Sequence, residues 1–263
     1  MKKFNIRKIL LVICCAVFVF AAVKAEITVV RYNEADTEYE EIQNKYIKTP
    51  ESTATEDTKE PDATEGTTTE EPAKEPLPIE VDFDALLRDN KDIVGWIYCP
   101  DTPINYPVVQ ASDNDYYLRR DLNGKYLISG TLFADYRSET VGVDKNYVVF
   151  GHNMKNDTMF GTLVDYKKQS YYDAHPVLYY FTPDKAYKIE LCAGLVVNRQ
   201  DEIYNVGSSD AKTAELIEKA MSKSTFKATV EIGEDDRFIT MSTCSYEYDN
   251  ARYILIGKLT PIE

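Results

Sequence analysis

Arg237-Phe-Ile-Thr-Met-Ser-Thr-Cys244 is followed, after a seven-residue loop, by Arg252-Tyr-Ile-Leu-Ile-Gly-Lys-Leu259. Both stretches alternate or run apolar with β-branched residues, which predicts two strands joined by a short connection. The first ends in a cysteine and the second opens with an arginine. Upstream, Tyr147-Val-Val-Phe-Gly-His152-Asn-Met is a third apolar run, ending in one of only two histidines in the chain. A side chain at the edge of a strand is held by the ladder yet reaches solvent. Cys244, His152 and Arg252 placed in this way supply a nucleophile, a proton carrier and an oxyanion partner, a set suited to acyl transfer through a thioester.

Working outward, further strand-like runs are expected at 93–98, 106–110, 131–134, 147–150, 177–182 and 186–197, and the two quoted above bring the number to eight. Helical patterns cover 159–168 and 209–223, and Asp82 reads as the cap of a short helix at the start of the domain. Many short strands with few helices predict a mainly β fold, a closed or nearly closed barrel.

The 263 residues fall into three compositional parts. Residues 1–31 are basic and apolar: Lys2, Lys3, Arg7 and Lys8 precede fifteen unbroken apolar residues, Ile9–Val23. This reads as an uncleaved membrane anchor extended through Val30, with the basic flank cytoplasmic and the remainder outside. The alternative is a secretory signal peptide cleaved near Val23-Lys24-Ala25. Residues 32–80 carry fifteen acidic and four basic side chains and are rich in Thr, Glu and Pro. They read as a disordered stalk, which as a flexible coil would span roughly 40 Å. Residues 81–263 read as one catalytic domain with enough chain for a core.

The net charge of −14 and the lack of a basic stripe set nucleic-acid binding aside. Cys14 and Cys15 lie in the apolar N-terminal run. Cys99, Cys192 and Cys244 remain, an odd number without a Cys-x-x-Cys pair, so neither a disulfide framework nor a zinc site is expected. Cys99 and Cys192 read as buried free thiols, with a single bridge between them as the alternative. No cluster of acids suggests calcium, and the chemistry needs no cofactor. An unperturbed cysteine ionises near pH 8.5 and a histidine near 6.5, so the reactive thiolate–imidazolium pair depends on its surroundings. His175, in a polar loop, reads as a surface residue, and Trp96 as core. Asp135, Asp157 and Asp249 are candidates to orient His152, with no spacing that singles one out.

Taken together, Thr240-Met-Ser-Thr-Cys244, the arginine eight residues later and Phe150-Gly-His152-Asn-Met resemble the sortase transpeptidases, whose signature is Thr-Leu-x-Thr-Cys. Met241 stands where that signature has Leu. The segments Asn90–Gln110, Asp113-Asn-Asp-Tyr-Tyr-Leu118 and Gly130-Thr-Leu-Phe-Ala-Asp-Tyr-Arg137 bring the resemblance closest to class B, over about residues 81–260. So does the helix expected at 209–223, inserted between the sixth and seventh strands. The resemblance implies a closed eight-stranded sortase barrel with short N-terminal helices. It implies an enzyme on the outer face of a Gram-positive-type membrane. That enzyme would cleave a C-terminal sorting signal after Thr and transfer the acyl group to an amine of a cell-wall precursor or a pilin. It also implies that Asn114 and Leu118, borne on one helix, contact the peptide together with Ser242 and Thr243, with Tyr204 on a wall formed by the loop 203–207. A cysteine peptidase that hydrolyses the same thioester, and a surface-displayed binding module, are the rival readings.

Overall fold

The computed structural model describes residues 6–48, 76–206 and 210–262. Eight strands close into a barrel: β1 Ile93–Tyr98, β2 Asn105–Val109, β3 Leu132–Ala134, β4 Asn146–Phe150, β5 Val177–Phe181, β6 Ala186–Asn198, β7 Arg237–Cys244 and β8 Ala251–Ile262. Around the barrel the order is β8-β6-β5-β1-β2-β3-β4-β7. The pairs β2–β3 and β4–β7 are parallel and the others antiparallel. Closure leaves no free edge, which suits strands this short.

Alternation along β7 explains how one strand serves both the core and the site. Ile239 and Met241 point inward and join Trp96, Ile97 and Tyr253 in the barrel core. Phe238 points outward into a second apolar cluster with Val148, Ile254 and Ile217. Ile217 belongs to the helix Asp210–Ser222, which is inserted between β6 and β7 and covers this outer face. Trp96 is buried and donates its indole N–H to Asn105 Oδ1 at 2.7 Å. Cys99 and Cys192 are both free and buried. Burial pushes both thiols up, Cys192 to about 12, so neither is ionised at neutral pH.

One expectation about the helices of the domain changes and one holds. The segment 159–168 is not an α-helix. Met159 adopts a left-handed backbone with φ 56°, and the 3-10 turn Gly161–Lys167 follows. The chain is bent there because Phe160 N–H donates to His152 O at 3.0 Å and Met159 pairs with Asn153. The short helix α2, Phe83–Asp89, forms as expected, with Asp82 Oδ1 accepting from Ala85 N–H at 2.9 Å.

The larger correction concerns the stalk. A single helix, α1, runs without a break for 41 residues from Ile6 to Tyr46. Its last third, expected to be disordered, buries Ala35, Tyr39, Ile42 and Tyr46 against the barrel. These positions recur at intervals of four, three and four, so they share one face. Burying each of the larger three contributes about 1.5–3 kcal/mol towards ordering an otherwise acidic segment. Polar contacts fix the register: Gln43 Nε2 donates to Asn105 O at 2.8 Å and Asn156 Nδ2 to Asp36 at 3.0 Å. Immediately after α1, Ile47–Lys48 pairs with Glu80–Val81, and Asp82 N–H donates to Tyr46 O at 2.8 Å. The folded body therefore includes residues well before Val81. The rest of the expected stalk, 49–75, lies outside the described residues.

Candidate active site

The register of three strands brings the reactive residues abreast. In the antiparallel pair β7–β8, Arg252 lies directly opposite Cys244. In the parallel pair β4–β7, Phe150 lies beside Ser242. Two further residues along each chain set His152 level with Cys244. Residues directly across a ladder, and residues two apart, project from the same side of a sheet. Cys244, His152 and Arg252 are accordingly half-buried on one outer face and line one cavity of about 200 Å³.

Hydrogen bonds lock the strand ends. Gly151 N–H donates to Ser242 O at 3.1 Å, and Thr243 Oγ1 donates to Gly151 O at 2.9 Å. Asn153 Nδ2 donates to Cys244 O at 2.8 Å. The histidine loop and the cysteine strand thus form one rigid unit. Gly151 is required by close approach, since a Cβ there would lie 2.3 Å from Leu132 Cδ2 and 2.6 Å from Phe160 Cδ2. Gly151→Ala should therefore cost about 1–3 kcal/mol in denaturant unfolding and displace His152, with activity falling more steeply than stability. An alanine variant with unchanged midpoint and turnover would contradict this packing.

The imidazole is held by a backbone carbonyl. His152 Nε2 lies 2.7 Å from Leu118 O. A carbonyl only accepts, so Nε2 carries the proton and Nδ1 is left for exchange with the site. Among the described hydrogen bonds, none joins His152 to a carboxylate. Asp135 is buried and engaged by Arg137 through both carboxylate oxygens, at 2.9 and 2.7 Å. That ion pair and the Arg137 N–H hold its carboxyl low despite burial. Asp157 and Asp249 are exposed. His175 is half-buried where a surface residue was expected: it caps the helix Gln169–Ala174, packs its ring 4.7 Å from that of Tyr171, and does not line this cavity.

Burial lowers the His152 pKa from its ordinary value of 6.5, and the Arg119 and Arg252 charges add to this, while the Leu118 carbonyl opposes it. The unfolded chain therefore takes up a proton more readily than the folded one. Stability should fall as pH drops below about 6.5, through the window down to the lowered native value. Melting curves of wild type and His152→Asn at pH 7.5 and 5.0 check the sign. The wild type should lose more on acidification, and parallel curves would contradict it.

The remaining predicted contacts also line this cavity. Ser242 and Thr243 form its floor on β7. Tyr204, on the 3-10 turn Glu202–Tyr204, stacks on Phe150 at 5.8 Å and shares a hydrogen bond of 2.8 Å with Ser242 Oγ. Arg137 Nη2 donates to Tyr204 O at 3.0 Å and pins that wall. Gly207 lies outside the described residues. Asn114 and Leu118 do not share a helix. Asn114 sits in a bend where its Oδ1 accepts from Tyr136 N–H at 2.9 Å, and Leu118 belongs to the 3-10 turn Tyr116–Arg119. Asp113 Oδ1 starts that turn by accepting from the N–H groups of Asp115 and Tyr116. Sequence reading missed Arg199, an exposed guanidinium lining the cavity, and Phe133 beneath it. It also missed the Asn153 amide, although the Gly-His-Asn run placed it beside the histidine.

A thiol, an imidazole and a guanidinium abreast on one face of a closed barrel define a cysteine-dependent acyl-transfer enzyme. Comparison with known proteins takes this further. The sequence matches the Sortase domain family over residues 97–260. Sortase B of Listeria monocytogenes is 35% identical over 179 residues, covering 66% of this chain and 72% of the relative. Sortase B of Staphylococcus aureus is 30% identical over 183 residues, covering 68% and 75%. Among solved structures, the Staphylococcus aureus sortase B–substrate complex superposes with a TM-score of 0.65 at 29% identity, over 69% of this chain and 86% of that one. Clostridium perfringens sortase B gives 0.63 at 32% identity, over 68% and 99%. The chain belongs to the sortase family and, within it, to class B, the cysteine transpeptidases with this barrel.

Proposed function

We propose that Cys244, His152 and Arg252 carry out the transpeptidation, on a sorting-signal peptide laid across the cavity they share. Cys244 Sγ, as thiolate, attacks the carbonyl carbon of the peptide threonine. Charge develops on the carbonyl oxygen, and the Arg252 guanidinium stabilises it. The C–N bond breaks as His152 gives a proton to the leaving amine, and a thioester to Cys244 remains. An acceptor amine then attacks the thioester carbon and gives a proton back to His152. The C–S bond breaks, the Cys244 thiolate is restored, and a new amide leaves. The observation that carries this reading is the register that sets all three side chains on one face. The Leu118 bond supports Nδ1 as the atom that exchanges the proton.

A cavity of about 200 Å³ is smaller than a drug-sized pocket, of about 300 Å³ upward, and suits one or two side chains of an extended peptide. Asn114, Leu118, Ser242, Thr243 and Tyr204 line it and would contact that peptide. The relatives support both partners, since sortase B has been crystallised with a substrate and with a triglycine peptide. In this chain the acceptor would be an amine of a cell-wall precursor or a pilin. The helix α1 is long and apolar enough to cross a membrane. Its exposed half, from Leu10 to Val30, supports an anchored enzyme with its catalytic domain outside the cell.

The test is product analysis. Peptides containing Thr-Gly, Thr-Asn or Thr-Ala are incubated with and without an amine acceptor and the products weighed. Transpeptidation gives the new amide in proportion to acceptor. Free acid alone, at every acceptor concentration, would favour a hydrolase.

A further inference from the structure

The buried third of α1 reaches the catalytic histidine through two routes. Tyr39 is buried, and its hydroxyl donates to Gly130 O and lies 3.2 Å from Thr131 Oγ1. Burial raises its pKa, so the phenol remains a donor. Thr131 is tied to the turn that carries Leu118. Its N–H donates to Tyr117 O at 3.1 Å and its Oγ1 to Arg120 O at 2.8 Å. Leu127 N–H donates to Arg119 O at 3.0 Å. The carbonyls of Tyr117, Arg119 and Arg120 are thus held by the segment 127–131. The carbonyl between them, that of Leu118, is the one that accepts from His152. Gly130 lies directly against it: with φ +56°, a Cβ there would sit 2.4 Å from Leu118 O.

The second route passes through Tyr106. Its ring meets that of Tyr39 edge-on at 5.1 Å, and its hydroxyl accepts from Met159 N–H at 3.1 Å. Met159 pairs with Asn153, and the neighbouring Phe160 N–H donates to His152 O. Both supports of the imidazole, the Leu118 carbonyl and the 152–153 backbone, are thus linked to one side chain of the N-terminal helix.

We propose that Tyr39 is a positioning residue for His152, so that the helix entering from the membrane side completes the alignment of the active site. This rests on the reading of His152 as proton carrier. A hydroxyl lost at Tyr39 leaves Gly130 O with only the longer bond of 3.3 Å from Ser129 Oγ and lets the Leu118 carbonyl drift. Misplacement of a catalytic group by about 1 Å costs on the order of a hundredfold, and the partial loosening here should cost roughly tenfold.

The test uses the full chain in detergent micelles. Tyr39→Phe removes the hydroxyl and keeps the ring. Gln43→Ala, on the same helix, removes a bond to Asn105 O that does not touch the Leu118 turn. Transfer kinetics are measured beside the titration of His152 by NMR on histidine-labelled protein, in which His175 is the one other signal. Arg119 and Arg252, the charged groups acting on the ring, are unchanged in both variants. The expected result for Tyr39→Phe is a roughly tenfold lower kcat at unchanged KM. Its His152 midpoint should move downward, because the carbonyl bond that favours the imidazolium is loosened. Gln43→Ala should move neither. If Tyr39→Phe matches Gln43→Ala in kcat and midpoint and only melts earlier, the positioning role is overturned. Retained turnover in His152→Ala would overturn the underlying reading instead, and so tells the two failures apart.

Discussion

Cys244→Ala should abolish transfer, lowering turnover by at least about 10⁴-fold, because no other group in the cavity can form the thioester. Cys192 is buried in the barrel wall, with its thiol held protonated and donating to Ile256 O at 3.4 Å, so it offers no substitute. The fold should be nearly unaffected. The Cys244 side chain is half-buried, and the hydrogen bond that ties this residue to the histidine loop runs from Asn153 to its backbone carbonyl, which alanine retains. The expected result is therefore a dead enzyme with a denaturant midpoint close to wild type. Stopped acyl transfer, together with loss of labelling by a thiol-directed peptide, checks it. Turnover within about tenfold of wild type would remove Cys244 from the mechanism.

Arg252→Lys should lower kcat by about 10²–10³-fold with a smaller change in KM. The guanidinium already commits one nitrogen to Ala251 O at 2.9 Å, which fixes its plane beside the cysteine opposite. Its remaining N–H groups make no further hydrogen bond among the described residues and can meet the oxyanion at a set angle. A lysine ammonium has no such fork, and holding Ala251 O would draw its single charge away from the reacting carbon. Because the oxyanion exists only in the transition state, the loss should fall on kcat. A lysine variant that keeps kcat and loses only KM would mean that Arg252 binds the ground-state peptide.

These effects depend on features of differing legibility. The eight strands, the barrel and the inserted helix could be read from apolar runs and turn residues, because strand period and burial are written locally. The trio could be read because each member ends or opens a strand, and the spacing of Cys244 and Arg252 matches a hairpin. Leu118 was legible as a residue but not in its second part: it lines the cavity, while its backbone carbonyl binds His152. A backbone acceptor carries no residue code, so no composition or spacing could have revealed it. Arg199 was likewise missed, since an exposed arginine in a loop reads as surface charge until the cavity is drawn. The buried third of α1 was hidden by its acids. Glu34, Glu38, Glu40 and Glu41 dominate the composition, while the narrow face of Ala35, Tyr39, Ile42 and Tyr46 gains meaning only against the core it joins.

The sequence alone determined the kind of chemistry, the barrel and the three residues proposed to carry it, because local pattern dictates strands and strand ends dictate where reactive groups project. Only the tertiary structure decided which atom holds the imidazole, and that the last third of the N-terminal helix packs on the barrel. Those outcomes depend on contacts between segments some 30 to 120 residues apart, and a contact of that kind exists only once the chain has closed on itself.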